Sequence, residues 1–118
     1  MPFDATPSYA LLNLTDAERD ALTHVRDALA SGWISPQDFD MRRYGSGPCC
    51  IGKHMQKIMY DRCGSGFDLM DSRFAELFHF CQTGDSLVYA ATPAQAVVAI
   101  DSFLATGRPH WARALASV

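Results

Sequence analysis

Two stretches of this chain each carry a helix start and a helix stop at a fitting distance, and nothing else restricts the fold as much. Thr15-Asp16-Ala17-Glu18 and Thr92-Pro93-Ala94-Gln95 are both capping boxes. In such a box the threonine hydroxyl accepts from a first-turn backbone N–H, and the Glu or Gln side chain returns to the threonine N–H. Behind the first box, Ala21, Leu22, Val25, Ala28 and Leu29 recur at helical spacing and leave Asp16, Asp20 and Asp27 on the other side. Ser31-Gly32 ends that run, since glycine takes the left-handed backbone of a helix stop at low cost. The spacing predicts a helix over 16–30. Behind the second box, Pro93 holds the first helical position, Val97, Ile100, Phe103 and Leu104 line the inner face, and Gly107 is the stop.

The remaining segments read as shorter helices. Ser35-Pro36-Gln37-Asp38 offers another cap, followed by Phe39 and Met41. Pro48 is expected to open a central helix in which Ile51, Met55, Ile58 and Met59 share a stripe with Arg62, and Lys53 and Lys57 stand to the side. Cys63-Gly64-Ser65-Gly66 ends it. Asp71-Ser72 can cap a helix carrying Phe74, Leu77, Phe78 and Cys81. Leu87-Val88-Tyr89 is expected to be an irregular apolar connector, because a lone strand has no partner. Pro109 is expected to open a last short helix with Trp111 and Leu115. Residues 1–14 read as an extended arm packing through Tyr9, Leu11, Leu12 and Leu14. The expectation is an all-α, compact single-domain bundle of five or six short helices across residues 1–118. A chain of 118 residues can bury roughly two-thirds of its unfolded surface, enough for a core without disulfides or metal.

Charge narrows the function classes. A net charge of −3 argues against general nucleic-acid binding, which needs a basic field. The distribution is uneven: residues 1–40 hold seven acidic and two basic side chains, whereas residues 41–62 hold Arg42, Arg43, Lys53, Lys57 and Arg62 against Asp61. No apolar run approaches the ~20 residues that span a bilayer, so no membrane association is expected. The start Met1-Pro2-Phe3-Asp4 lacks the basic region and apolar run of a signal peptide, and the expected location is cytoplasmic. There Cys49, Cys50, Cys63 and Cys81 are expected to be reduced thiols.

Residues able to do chemistry concentrate at Gly45-Ser46-Gly47-Pro48-Cys49-Cys50-Ile51-Gly52-Lys53-His54. A helix opening at Pro48 would present free N–H groups to an anion. Gly45 and Gly47 would let backbone approach the ligand, with Arg42, Arg43 and Lys53 adding charge. A cysteine in that first turn beside basic residues should have a lowered pKa. Cys49 or Cys50 could then be a nucleophile with His54 or His79 as base. The plain alternatives are a tight loop before a helix and small buried hydrophobes. Cys50, His54, Cys63, His79 and Cys81 are zinc-capable, but their spacings match no common zinc module, so neither metal nor cofactor is expected. Trp33, Tyr44, Tyr60, Tyr89 and Trp111 are large amphipathic side chains of the kind that dominate interface energy. The acidic first helix could present carboxylates to a basic partner.

Phe39-Asp40-Met41, Cys50-Ile51-Gly52, Thr92-Pro93-Ala94-Gln95-Ala96, Phe103-Leu104-Ala105-Thr106-Gly107 and Trp111 together resemble blocks of small uncharacterised bacterial and phage proteins. In those, a Cys-Gly-Thr-x-x-Cys-Ile-x-Gly motif stands where this chain has Gly45 at the first cysteine and Ser46-Gly47 for Gly-Thr. The resemblance spans roughly residues 35–111 and implies a phage or mobile-element setting, with no activity attached. The function expected is a non-enzymatic protein-binding module, of the kind that inhibits host machinery as anti-CRISPR proteins do. A small-ligand or thiol-dependent enzyme using Gly45–His54 is the rival, and a structural zinc domain the third reading.

Overall fold

Both capping boxes close in the computed structural model, which describes residues 13–42, 47–64, 67–68, 71–78 and 86–116. Glu18 N–H donates to Thr15 Oγ1 at 3.0 Å, and Thr15 N–H to Glu18 Oε1 at 2.9 Å. They start α1 (Asp16–Ser31), which stops at Gly32 with φ 84°. Gln95 N–H to Thr92 Oγ1 (3.2 Å) and Thr92 N–H to Gln95 Oε1 (2.9 Å) start a second long helix, Pro93–Thr106, which Gly107 stops at φ 83°. Between them lie α2 (Ile51–Cys63) and two single turns, α3 (Ala75–Phe78) and α4 (Ser86–Tyr89); the Pro93–Thr106 helix is α5, and α6 (Trp111–Ala116) follows. Short 3-10 turns cover Pro36–Asp38 and Ser72–Phe74. The chain is an all-α bundle with a radius of gyration of 13.3 Å, close to the ~13.5 Å expected of one folded domain this long.

The core forms where α1 crosses α5, the most extensive helix pair, with α2 against the other side of α1. α1 buries Ala21, Leu22, Val25, Ala28 and Leu29, and α5 buries Ala96, Ala99, Ile100 and Phe103. Alanines on both helices leave room for the large residues between them. Phe74 and Phe78 stack at 5.1 Å, Phe67 meets both edge-on, and Phe103 lies 5.7 Å from Phe74. Such ring pairs add ~0.5–1.5 kcal/mol each beyond their area. Trp111 is buried, and its Nε1–H donates to Glu76 O at 2.9 Å. At the edges, Arg26 holds Asp101 of α5 through two bonds of 2.8 and 3.1 Å, and Arg62 of α2 pairs with Asp20 of α1.

Several boundaries differ from the expectation for physical reasons. α2 begins at Ile51 rather than Pro48, because Cys49 is paired with a neighbouring segment. Phe39 and Cys49 form a parallel bridge: Cys49 N–H donates to Asp38 O at 3.2 Å, and Asp40 N–H to Cys49 O at 3.0 Å. Cys50 stays extended at φ −79°, ψ 173° and becomes the cap residue, so neither cysteine lies inside the first turn. Residues 87–89, expected as an irregular connector, fall in the single turn α4, which buries Val88. The last helix begins at Trp111 and not Pro109, because His110 at φ 49° is left-handed and interrupts the run. The Asp71-Ser72 start yields a 3-10 turn before α3. Of the predicted arm, residues 1–12 lie outside the described residues, as do His79 and Cys81.

Candidate functional site

The thiol-bearing segment is sealed. Cys49, Cys50 and Ile51 each have 0% exposure. The Gly52 and Lys53 N–H groups, which an anion would have used, act on the buried Cys50 thiol, although its sulfur makes no capping hydrogen bond. His54, expected as a base, instead donates from Nε2 to Asp38 O at 3.0 Å; a carbonyl only accepts, which fixes the tautomer. Residues 38–40, 49–50 and 54 therefore form one staple that holds the 3-10 turn onto the start of α2.

Burial also reverses the expected reactivity. It pushes the Cys49 thiol above its ordinary pKa, and the nearby Lys57 and Lys53 charges only partly offset this. Burial raises Cys50 as well, against the N–H groups of Lys53 and Gly52. It lowers His54, so the imidazole is neutral at pH 7. Two buried protonated thiols beside a neutral, occupied imidazole are scaffold rather than a nucleophile–base pair.

Of the residues expected to bind a ligand, Arg42 is exposed and bonds Asp40 Oδ1 at 3.3 Å. Gly47 has φ 86° with open space around it. Arg43, Gly45 and Tyr44 lie outside the described residues. Lys53 lines a cavity, but not the predicted one. Lys53, Gln56, Lys57, Tyr60 and Asp61 surround about 380 Å³ on the outer side of α2. The i, i+4, i+7 spacing of Lys53, Lys57 and Tyr60 was the sequence signal for that shared face. Among the described residues no cluster of three or more His, Cys, Asp or Glu side chains could hold a metal ion.

A cavity of about 320 Å³ lies between α5 and α6, lined in part by Asp101, Ser102, His110 and Arg113. These residue types suggest hydrolytic chemistry, but the Ser102 hydroxyl is shielded from solvent and Asp101 is engaged by Arg26. No accessible nucleophile results.

The aromatic side chains divide sharply. Trp111 is core, Tyr89 is half-buried, Tyr60 is 63% exposed and Trp33 is 84% exposed. Trp33 follows the left-handed Gly32, and Ile34 N–H returns to Ala28 O at 3.0 Å while the Ile34 side chain enters the core. The backbone is thereby fixed on both sides of an outward indole. Two grooves meet at this corner. One, about 470 Å³, is lined by His24, Asp27, Ala28, Ser31 and Trp33. The other, about 630 Å³, runs between the end of α1 and the start of α5, past Leu29, Ile34, Pro36, Pro93, Ala94 and Val97. Ser31 belongs to both.

Comparison with family models, with curated proteins and with solved structures returned no match for this chain.

Proposed function

We propose that the chain is a non-enzymatic protein-binding module that engages its partner through the corner carrying Trp33. The supporting observation is the 84% exposure of that indole. A tryptophan buries about 150–250 Å² when packed, so leaving Trp33 in water forgoes roughly 4 kcal/mol. The flanking grooves supply further apolar surface, largely uncharged. The partner suited to this corner offers an apolar cleft for the indole with basic side chains on its rim. Asp27, which lines the groove beside Trp33, keeps 65% of its side-chain surface exposed, and residues 1–40 carry an excess of acid. Opposite charge on the rim would set orientation and on-rate, and the buried indole would set affinity.

No described helix is long and apolar enough to cross a membrane. Free thiols at Cys49 and Cys50 suit a reducing cytoplasm. The resemblance to bacterial and phage proteins directs the search for the partner to host machinery that a mobile element would inhibit. The test is parallel capture from several bacterial lysates on wild type, Trp33→Ala and Tyr60→Ala. The expected result is a protein retained by wild type and by Tyr60→Ala but weakened about thirtyfold by Trp33→Ala, the size of a ~2 kcal/mol hot spot. A partner that holds Trp33→Ala equally well, or no partner in any host, overturns the proposal.

A further inference from the structure

α2 carries two lysines whose charge the fold leaves unanswered. Arg26, Arg42, Arg62 and Arg73 each pair with a carboxylate. Lys53 and Lys57 make no ion pair among the described residues, and their partners are neutral. Lys53 Nζ donates to Gln56 Oε1 at 2.8 Å, and Lys57 Nζ to the Cys49 sulfur at 3.6 Å. An ammonium has three donors, so each lysine keeps two for another acceptor. Like charges four residues apart on a helix oppose its stability. Asp61, four residues past Lys57 and lining the same cavity, offsets only part of that cost because it forms no ion pair with either lysine, and a local rule broken in this way points to a use outside the fold.

The surroundings are ordered toward one ligand type. Gln56 Nε2 donates to Phe67 O at 2.9 Å, which fixes the amide with its oxygen on Lys53. Lys57 is likewise tethered by a sulfur that is itself fully buried. Both lysines line the 380 Å³ cavity together with Tyr60 and Asp61. Tyr60, 63% exposed, offers a flat face. Asp61 makes no ion pair among the described residues, so it repels a bare polyanion yet accepts from hydroxyls.

We propose that Lys53, Lys57, Tyr60 and Asp61 bind a phosphate monoester carried on a hydroxylated body, either a nucleoside phosphate or a sugar phosphate. The two lysines hold the phosphate as point charges. Tyr60 packs against the ring of the body, and Asp61 takes a hydroxyl. The cavity fits a single small ester, and the net charge of −3 disfavours a nucleic-acid strand. The proposal is independent of the Trp33 corner, and Trp33→Ala leaves it unchanged.

Calorimetric titration of the full chain with inorganic phosphate, AMP, glucose 6-phosphate, adenosine and glucose tests it. At least one ester should bind saturably, with its unphosphorylated counterpart and inorganic phosphate each about tenfold or more weaker. Preference for AMP, reduced by Tyr60→Leu, identifies a nucleoside body; preference for glucose 6-phosphate identifies a sugar. Lys53→Gln should weaken the ester about tenfold, and Lys57→Arg, which keeps the charge, by no more than about threefold. Both positions retain solvent contact, and circular dichroism confirms that each variant is folded. Absence of saturable binding by either ester to about 10 mM overturns the proposal, as does ester binding unchanged in folded Lys53→Gln.

Discussion

Arg73 joins residues 13–18 to residues 71–73, two parts of the chain that sequence keeps far apart, and replacing it with methionine tests how much that junction contributes. Its guanidinium reaches both oxygens of Glu18 at 2.9 and 2.6 Å, Asp71 at 2.7 Å, and Asn13 O at 2.7 Å. Glu18 is 6% exposed and also carries one arm of the α1 capping box. Methionine keeps an apolar stem but removes the guanidinium, whose Cζ lies 5.3 Å from the Phe74 ring centroid, and leaves the buried Glu18 to the Thr15 N–H and hydroxyl. Removing one partner of a fully buried pair costs about 3–5 kcal/mol. The Arg73 and Asp71 side chains keep 23% and 24% exposure, so solvent screening reduces this, and about 2–3 kcal/mol is expected. For a chain this long, 1 kcal/mol corresponds to roughly 4 °C, giving a fall in Tm of about 8–12 °C.

The pH dependence of that loss identifies its origin. Burial alone would raise the Glu18 pKa, but hydrogen bonds from Arg73 and Thr15 overcome it and hold the carboxyl below its ordinary value. Asp71 is lowered chiefly by its hydrogen bonds from Arg73. Carboxyls lowered in the native state stabilise it above the ordinary carboxylate range near pH 4, and that stability is lost as pH falls through the native values. The gap between wild type and Arg73→Met should therefore be widest at pH 7 and should shrink below about pH 4. Urea unfolding at pH 7, 5 and 3 measures it. An equal gap at all three, or one under about 0.5 kcal/mol at pH 7, refutes the electrostatic account.

Cys49 and Cys50 should react with iodoacetamide at pH 7.5 at least about tenfold more slowly in the native chain than in guanidinium, read by peptide mass spectrometry. Fast native labelling would return the thiols to candidacy as nucleophiles. His54 titrates below its ordinary value in the fold, so the unfolded chain takes the proton first as pH falls through about 6.5, and stability falls with it. His54→Gln should flatten stability between pH 7.5 and 5.5, as followed by urea midpoints; an unchanged slope contradicts the burial argument. Thr92→Ala removes the hydroxyl that caps α5 and should cost about 1 kcal/mol, a Tm drop near 4 °C.

What the sequence made legible was what local chemistry decides. The caps at Thr15 and Thr92, the stops at Gly32 and Gly107, and the inner face of α1 need only residues within a turn or two, whereas on α5 Ile100 and Phe103 are buried as expected but Ala96 and Ala99 take the positions expected of Val97 and Leu104, which are only partly buried. The Pro48 start failed because the pairing of Cys49 with Phe39 lies outside that range, and it overrides the preference of proline for a first helical position. The thiol argument took the right neighbours, Lys53 and Lys57, but not the burial that outweighs them. The Arg73–Glu18 pair spans 55 residues, and no pattern announces it. Trp33 stood among five aromatics with nothing local to say that it would be the most exposed of the described ones. The face shared by Lys53, Lys57 and Tyr60 could be read from spacing; the lack, among the described residues, of a carboxylate paired with either lysine could not.

The bridge between Phe39 and Cys49 brings the two ends of residues 40–48 together. Met41 is anchored in the core, so a graft belongs after Arg42. Doubling the length of such a span costs only about 0.6 kcal/mol in closure entropy, because α1 and α2 meet through other contacts. That point is a natural port for grafted sequence. An epitope or a reporter peptide could be carried there while both the indole corner and the lysine face stay intact.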